Sequence, residues 1–140
     1  MKRKQRTEIL IQDGGSLAEE LASTITANYN YLEIIKPQYG MTMIKMRETA
    51  KKSLFYLGEV LITESKVEIE QTIGIGIVIG MEKELAKHLA IIDAAYRADL
   101  PETKDWDTQL IEKGKQITAQ RAKEQAELFR SKVNFETMEV

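Results

Sequence analysis

The stretch Gly74-Ile-Gly-Ile-Val-Ile-Gly80, running directly into Met81–Arg97, decides how this chain folds. Isoleucine and glycine alternate with a period of two, which is strand chemistry. Ile73, Ile75, Ile77 and Ile79 share one face, and Gly74, Gly76, Val78 and Gly80 share the other. A face so bare of side chains lets a backbone, a helix or a flat ligand approach closely. The glycines invite comparison with a dinucleotide-binding loop, but that loop sets its glycines in the turn after a strand. Here Gly74 and Gly76 lie inside the strand, and only Gly80 is placed to free helix N-terminal amides for an anion. Glu82 and Glu84 follow it; they suit the helix dipole and repel phosphate. Close packing is the favoured reading. A small α+β nucleotide-binding module, holding its ligand on the glycine face, stays as the alternative.

Downstream of Gly80 the period returns to 3.6: Leu85, Leu89, Ile92 and Tyr96 form one helix face that Leu100-Pro101 ends. Asp105 or Asp107 suits the cap of a long C-terminal helix reaching Phe129. Its large apolar residues are few (Leu110, Ile111, Ile117, Leu128), and Gly114 interrupts it at a cost of about 1 kcal/mol against alanine. Such a helix lies exposed or is covered by a partner. Upstream, Arg3–Gln12 reads as a helix stopped by Asp13-Gly-Gly15. Ser16-Leu-Ala-Glu19 has the form of a capping box opening a second helix, with Leu17, Leu21 and Ile25 on its apolar face. Between these helices lie strand segments at Tyr31–Ile35, Met41–Arg47, Leu54–Thr63 and Val67–Ile69. Pro37-Gln-Tyr-Gly40 reads as a turn, and a parity slip at Glu64–Lys66 as a bulge or short turn. The expectation is one α+β domain spanning residues 1–140, with an antiparallel sheet of four to five short strands flanked by N-terminal and C-terminal helices.

Composition removes several function classes. With no cysteine, disulfides, thiolate metal sites and cysteine nucleophiles are excluded. A net charge of −2 gives no pull toward nucleic acid or an anionic membrane. No apolar run approaches the roughly 20 residues of a membrane span. The basic head Met-Lys-Arg-Lys-Gln-Arg lacks the apolar stretch of a secretory signal and reads as a solvated tail. A cytoplasmic protein is expected.

Few residues suggest chemistry of their own. His88 is the only histidine, and Glu84 four residues before it makes a surface pair the plain explanation. Asp93 stands four residues before Arg97, the favourable order for a helix ion pair. It also shares a stripe with Ala86 and Ala90, where a carboxylate is able to hold a partner's backbone or arginine. Nothing marks Glu59, Glu64 or Glu68 as an acid/base pair. An independent hydrolase built on Asp93 or His88 lacks a nucleophile, base and orienter set. The tail Lys132-Val-Asn-Phe-Glu-Thr-Met138 is apolar and strand-competent, which suits docking on a sheet edge.

Phe55-Tyr-Leu-Gly-Glu-Val-Leu-Ile-Thr-Glu-Ser-Lys-Val-Glu-Ile69 resembles the central segment of PhnG, the G subunit of bacterial carbon–phosphorus lyase. The glycine strand, Gly80, Ala86 and Ile92-Asp-Ala94 look like that family's next block, and the tail looks like its closing motif. The resemblance runs from about Tyr31 to Met138. Family members commonly carry aspartate at the position of Asn134, and some carry histidine where this chain has Leu85. The resemblance implies phosphonate use under phosphate limitation, in a core assembly with H, I and J subunits and with the L subunit as functional helper. That system transfers methylphosphonate to ribose C1 of ATP, displaces adenine, and gives ribose 1-methylphosphonate 5-triphosphate. The J subunit then cleaves the carbon–phosphorus bond by radical iron–sulfur chemistry, for which this cysteine-free chain holds no ligands. The implied role here is accessory: no catalytic residue, no metal, no cofactor of its own, and ATP as a substrate of the assembly; the alternative is a small α+β nucleotide/phosphonate-binding module. The implied partner- or ligand-facing residues are Gly74, Gly76, Gly80, Asp93, Val133, Asn134, Phe135 and Met138.

Overall fold

A computed structural model describes residues 2–47 and 54–138. Two helices open the chain, α1 (Arg3–Gln12) and α2 (Ser16–Asn28). Three strands follow, β1 (Leu32–Arg47), β2 (Leu54–Ile69) and β3 (Thr72–Ile79). Then come α3 (Lys83–Arg97) and α4 (Thr103–Met138). The strands form one antiparallel sheet in the order β1-β2-β3. The α+β class holds, but among the described residues the sheet has three strands rather than four to five, because two expected breaks are absent.

The first is Pro37-Gln-Tyr-Gly40, which does not turn the chain. Partners step from Ile35↔Lys66 to Gln38↔Glu64, so β1 gains an extra residue and continues. Proline lacks an N–H to give a ladder, and an edge strand at a register shift is where that loss is tolerated. The second is Glu64–Lys66. Here β2 runs on, and its pairing with β3 is regular from Ile62↔Ile79 to Ile69↔Thr72. The apparent parity slip arises because the core face carries two hydroxyl residues. Thr63, Ser65, Val67 and Ile69 are all buried. Thr63 donates to the Gly80 carbonyl at 2.6 Å and accepts from the Glu82 amide at 3.1 Å. The Ser65 hydroxyl donates to the Ile35 carbonyl at 3.4 Å.

α3 covers this face. Gly74, Gly76 and Val78 turn toward it, while Ile73, Ile77 and Ile79 stay exposed on the opposite side. Ala86, Ala90 and Ala94 repeat every four residues and are fully buried, so the helix backbone lies directly on the glycines. A Cβ added at Gly74 meets the Ala90 carbonyl oxygen and the Ala94 amide nitrogen well inside contact distance. One added at Gly76 meets the Ala86 carbonyl oxygen in the same way. The close packing read from the alternation is what the glycines do.

The N-terminal pair completes the core with Leu10, Ala18, Leu21, Ala22 and Ile25. Ser16 is not the cap of α2; Gly15 is, at φ +101°. The Asp13 carboxylate takes the capping role by accepting from the Leu17 amide at 2.8 Å, and it also meets Lys113 Nζ at 3.0 Å. α4 buries Trp106 and Leu110, then passes Ile9 at Gly114, where an added Cβ lies 3.1 Å from Ile9 Cδ1. From there it runs on exposed. The tail expected as a strand is instead the end of this helix, since helical hydrogen bonding continues through Met138. Among the described residues no helix is long and apolar enough to cross a membrane.

Candidate functional site

Because α3 sits backbone-to-backbone on β3, its Asp93 reaches the free edge of the sheet. The carboxylate accepts from the Ile75 amide at 2.9 Å, an N–H that points away from β2. Three arginines converge on the same carboxylate. Arg3 Nε stands 3.0 Å from Oδ1, Arg6 Nη2 3.4 Å from Oδ1, and Arg97 Nε 3.3 Å from Oδ2. Arg3 also donates through Nη2 to Oδ2 at 3.2 Å, so it grips Asp93 with two nitrogens.

Asp93 is 4% exposed and Arg6 8%. The Arg6 guanidinium lies 3.8 Å from the Tyr96 ring centroid, a cation–π contact at the inner end of the cluster. Tyr96 packs edge-on against Trp106, and its hydroxyl donates to Asp107 at 2.8 Å. Burial pushes the Tyr96 phenol up, and the bond to Asp107 adds to the rise. Burial lowers the Arg6 guanidinium from its ordinary value, opposed by Tyr96 and Asp93. Between α1 and β3, beside this cluster, lies a cleft of about 460 Å³.

The expected site residues separate into two places. Gly74 and Gly76 lie beneath α3, and Asp93 is engaged by this chain's own amide and arginines. Gly80, at φ +97°, makes the turn into α3, where its N–H donates to the Leu61 carbonyl at 2.9 Å. Of the amides at the start of α3, that of Glu82 is taken by Thr63. Val133, Asn134, Phe135 and Met138 are at the far end of α4, and their side chains lie outside the described residues. The Asp93–Arg97 pair follows its sequence spacing. Arg3 and Arg6 do not, since they belong to the basic head read as solvated; their i, i+3 spacing on one helix face was the available signal. His88 is half-buried, its imidazole lowered by burial against the pull of Glu84, and it forms no ion pair among the described residues. No group of three or more histidine, cysteine, aspartate and glutamate side chains gathers among them as a metal site.

The family model for phosphonate metabolism protein PhnG matches residues 1–139. The chain belongs to the PhnG family. Membership places it in phosphonate metabolism. No curated protein sequence matches it. Within this PhnG-family chain, the blocks that carry the likeness are structural at their centre: the glycine strand, the alanine stripe of α3 and Asp93 build one joint between sheet and helix.

Proposed function

We propose that this chain is a non-catalytic subunit of the carbon–phosphorus lyase core assembly, working in the cytoplasm with H, I and J subunits and, functionally, the L subunit. It supports transfer of methylphosphonate to ribose C1 of ATP with loss of adenine, giving α-D-ribose 1-methylphosphonate 5-triphosphate. It binds no cofactor of its own; ATP is the substrate of the assembly. Its task is to complete the I-subunit site, so that phosphonate rather than water attacks C1.

One observation carries the reading that this chain is built to be covered. It exposes 9815 Å², whereas a compact monomer of 16.0 kDa exposes about 7,400 Å². The surplus, about 2,400 Å², is on the scale that one partner buries in a large obligate interface. Reconstitution with and without this chain tests the role. Omission is expected to abolish ribosyl phosphonate formation while sparing adenine release from ATP by the I subunit. Phosphonate transfer that proceeds unchanged without the chain overturns it.

A further inference from the structure

We propose that the cleft between α1 and the free edge of β3 binds an organic phosphonate, with the anionic head on Arg3 and Lys4 and the substituent on an apolar floor. This deepens the functional reading and takes its choice of oxyanion from the family's place in phosphonate metabolism.

The cleft has the size of a small-molecule site, about 460 Å³. Leu10, Ile75, Ile77, Leu89 and Ile92 form its apolar lining, with Gly76 beside them. Arg3, Lys4 and Arg6 line it as cations, against the carboxylates of Glu8 and Asp93. Asp93 is further shared with Arg97, so its charge is spread over three guanidinium groups. The local balance is positive in a chain whose net charge is −2.

Arg3 is half exposed and spends Nε and one N–H of Nη2 on Asp93. Its remaining N–H groups are available to an oxyanion. Its orientation is already fixed by the two-nitrogen grip, which lowers the entropy cost of recruiting it. Lys4 is exposed and forms no ion pair among the described residues. Arg6 lies deeper, against Tyr96, and adds its field rather than a contact. Anionic head outside and apolar substituent inside is thus the polarity the walls select. Inorganic phosphate satisfies only half of it.

Calorimetric titration of the full chain with phenylphosphonate, methylphosphonate and inorganic phosphate tests the site. Saturable binding is expected, tightest for phenylphosphonate and weakest for inorganic phosphate. Lys4→Glu is expected to weaken phenylphosphonate about tenfold or more. Lys4 forms no ion pair among the described residues, so this variant is expected to keep its fold, and its melting temperature serves as the control. Arg3→Gln is expected to act in the same direction. Absence of saturable phosphonate binding, equal affinity for inorganic phosphate, or an unaltered affinity in folded Lys4→Glu overturns the proposal. Assembly of the chain with its partners is measured without ligand, so a failure here leaves that reading standing and a failure there leaves this one.

Discussion

Asp93 accepts from the Ile75 amide and from Arg3 and Arg6, and pairs with Arg97, while almost fully buried. Replacing it by asparagine keeps an acceptor for Ile75 but leaves buried Arg6 without its counter-charge. Removing one partner of a buried pair costs about 3 kcal/mol or more, so Asp93→Asn is expected to lower the urea midpoint by a corresponding amount. Arg97→Gln, which removes a half-exposed partner, is expected to cost about 0.5 kcal/mol. Similar losses for both variants would show that the burial of Arg6 is not what makes Asp93 matter. Asp13 gives a pH test. Burial raises its carboxyl, but the Leu17 amide, Lys113 and Ser16 outweigh burial and hold it below its ordinary 3.8. A carboxyl depressed in the folded state stabilises fully above its ordinary value, and that stability is lost as pH falls through the depressed one. The gap in melting temperature between wild type and Asp13→Asn is therefore expected to be constant from pH 7 to about 4 and to shrink below it. A gap that does not shrink in acid would exclude the charge as its source. The sequence showed Asp93 with Arg97 because four residues separate them. Arg3 and Arg6 stayed hidden because they stand 90 and 87 positions from Asp93 in the chain.

At the scale of elements, the joint between β3 and α3 rests on the absence of two side chains. Gly74→Ala and Gly76→Ala each drive a methyl into helix backbone, which has no rotamer to yield. Each is expected to cost about 3 kcal/mol or to prevent folding. Gly80→Ala meets open space and is strained only by its φ of +97°, so about 1 kcal/mol is expected. Equal losses at the three positions in a denaturant series would mean that helix contact is not the constraint. The β2–β3 hairpin carries the opposite opportunity. Glu70 and Gln71 both adopt positive φ, at 51° and 62°, a two-residue turn that asparagine-glycine fits without strain. Glu70→Asn with Gln71→Gly is expected to raise stability by about 1 kcal/mol, read as a higher melting temperature; a fall would mean that the native pair contributes contacts worth more than its strain. The same two features explain what was legible. Alternation made β3 and its bare face readable, because every second residue obeyed it. The turn at Glu70-Gln71 gave no glycine, proline or asparagine signal. Thr63 and Ser65 carried hydroxyls into the core and mimicked a break, while Pro37 announced a turn that an edge strand absorbed as a bulge.

Across the whole molecule, the core gathers around α3, and two projections leave it. One is the part of β1 and β2 from Met41↔Leu61 to Arg47↔Leu54, which has no third strand among the described residues because β3 pairs with Ile62–Ile69. Met41 and Met43 are more than half exposed there, and a two-stranded ribbon has little stability of its own. The other is α4. At 36 residues it is about 54 Å long, yet among its described side chains the fully buried ones are confined to the first turns, and Leu128 and Phe129 are 70% and 67% exposed. Intrachain packing does not account for an apolar pair so far from the core, whereas a partner surface does. A chain ending at Ala122 therefore separates the two roles of the helix. Its removed part is exposed through Lys132, the last side chain described, so the stability of the isolated chain is expected to change by no more than about 0.5 kcal/mol. Co-purification with the other subunits is expected to fall sharply, and the paired variant Leu128→Ser, Phe129→Ser to reproduce the fall with the helix at full length. If the shortened chain assembles normally, the exposed end of α4 is not an interface, and the surplus surface must be covered elsewhere, on the β1–β2 projection or the isoleucine face of β3. If it melts early, the end of α4 is part of this fold after all. A stable, shortened chain that no longer assembles is the outcome that a subunit built to be covered requires.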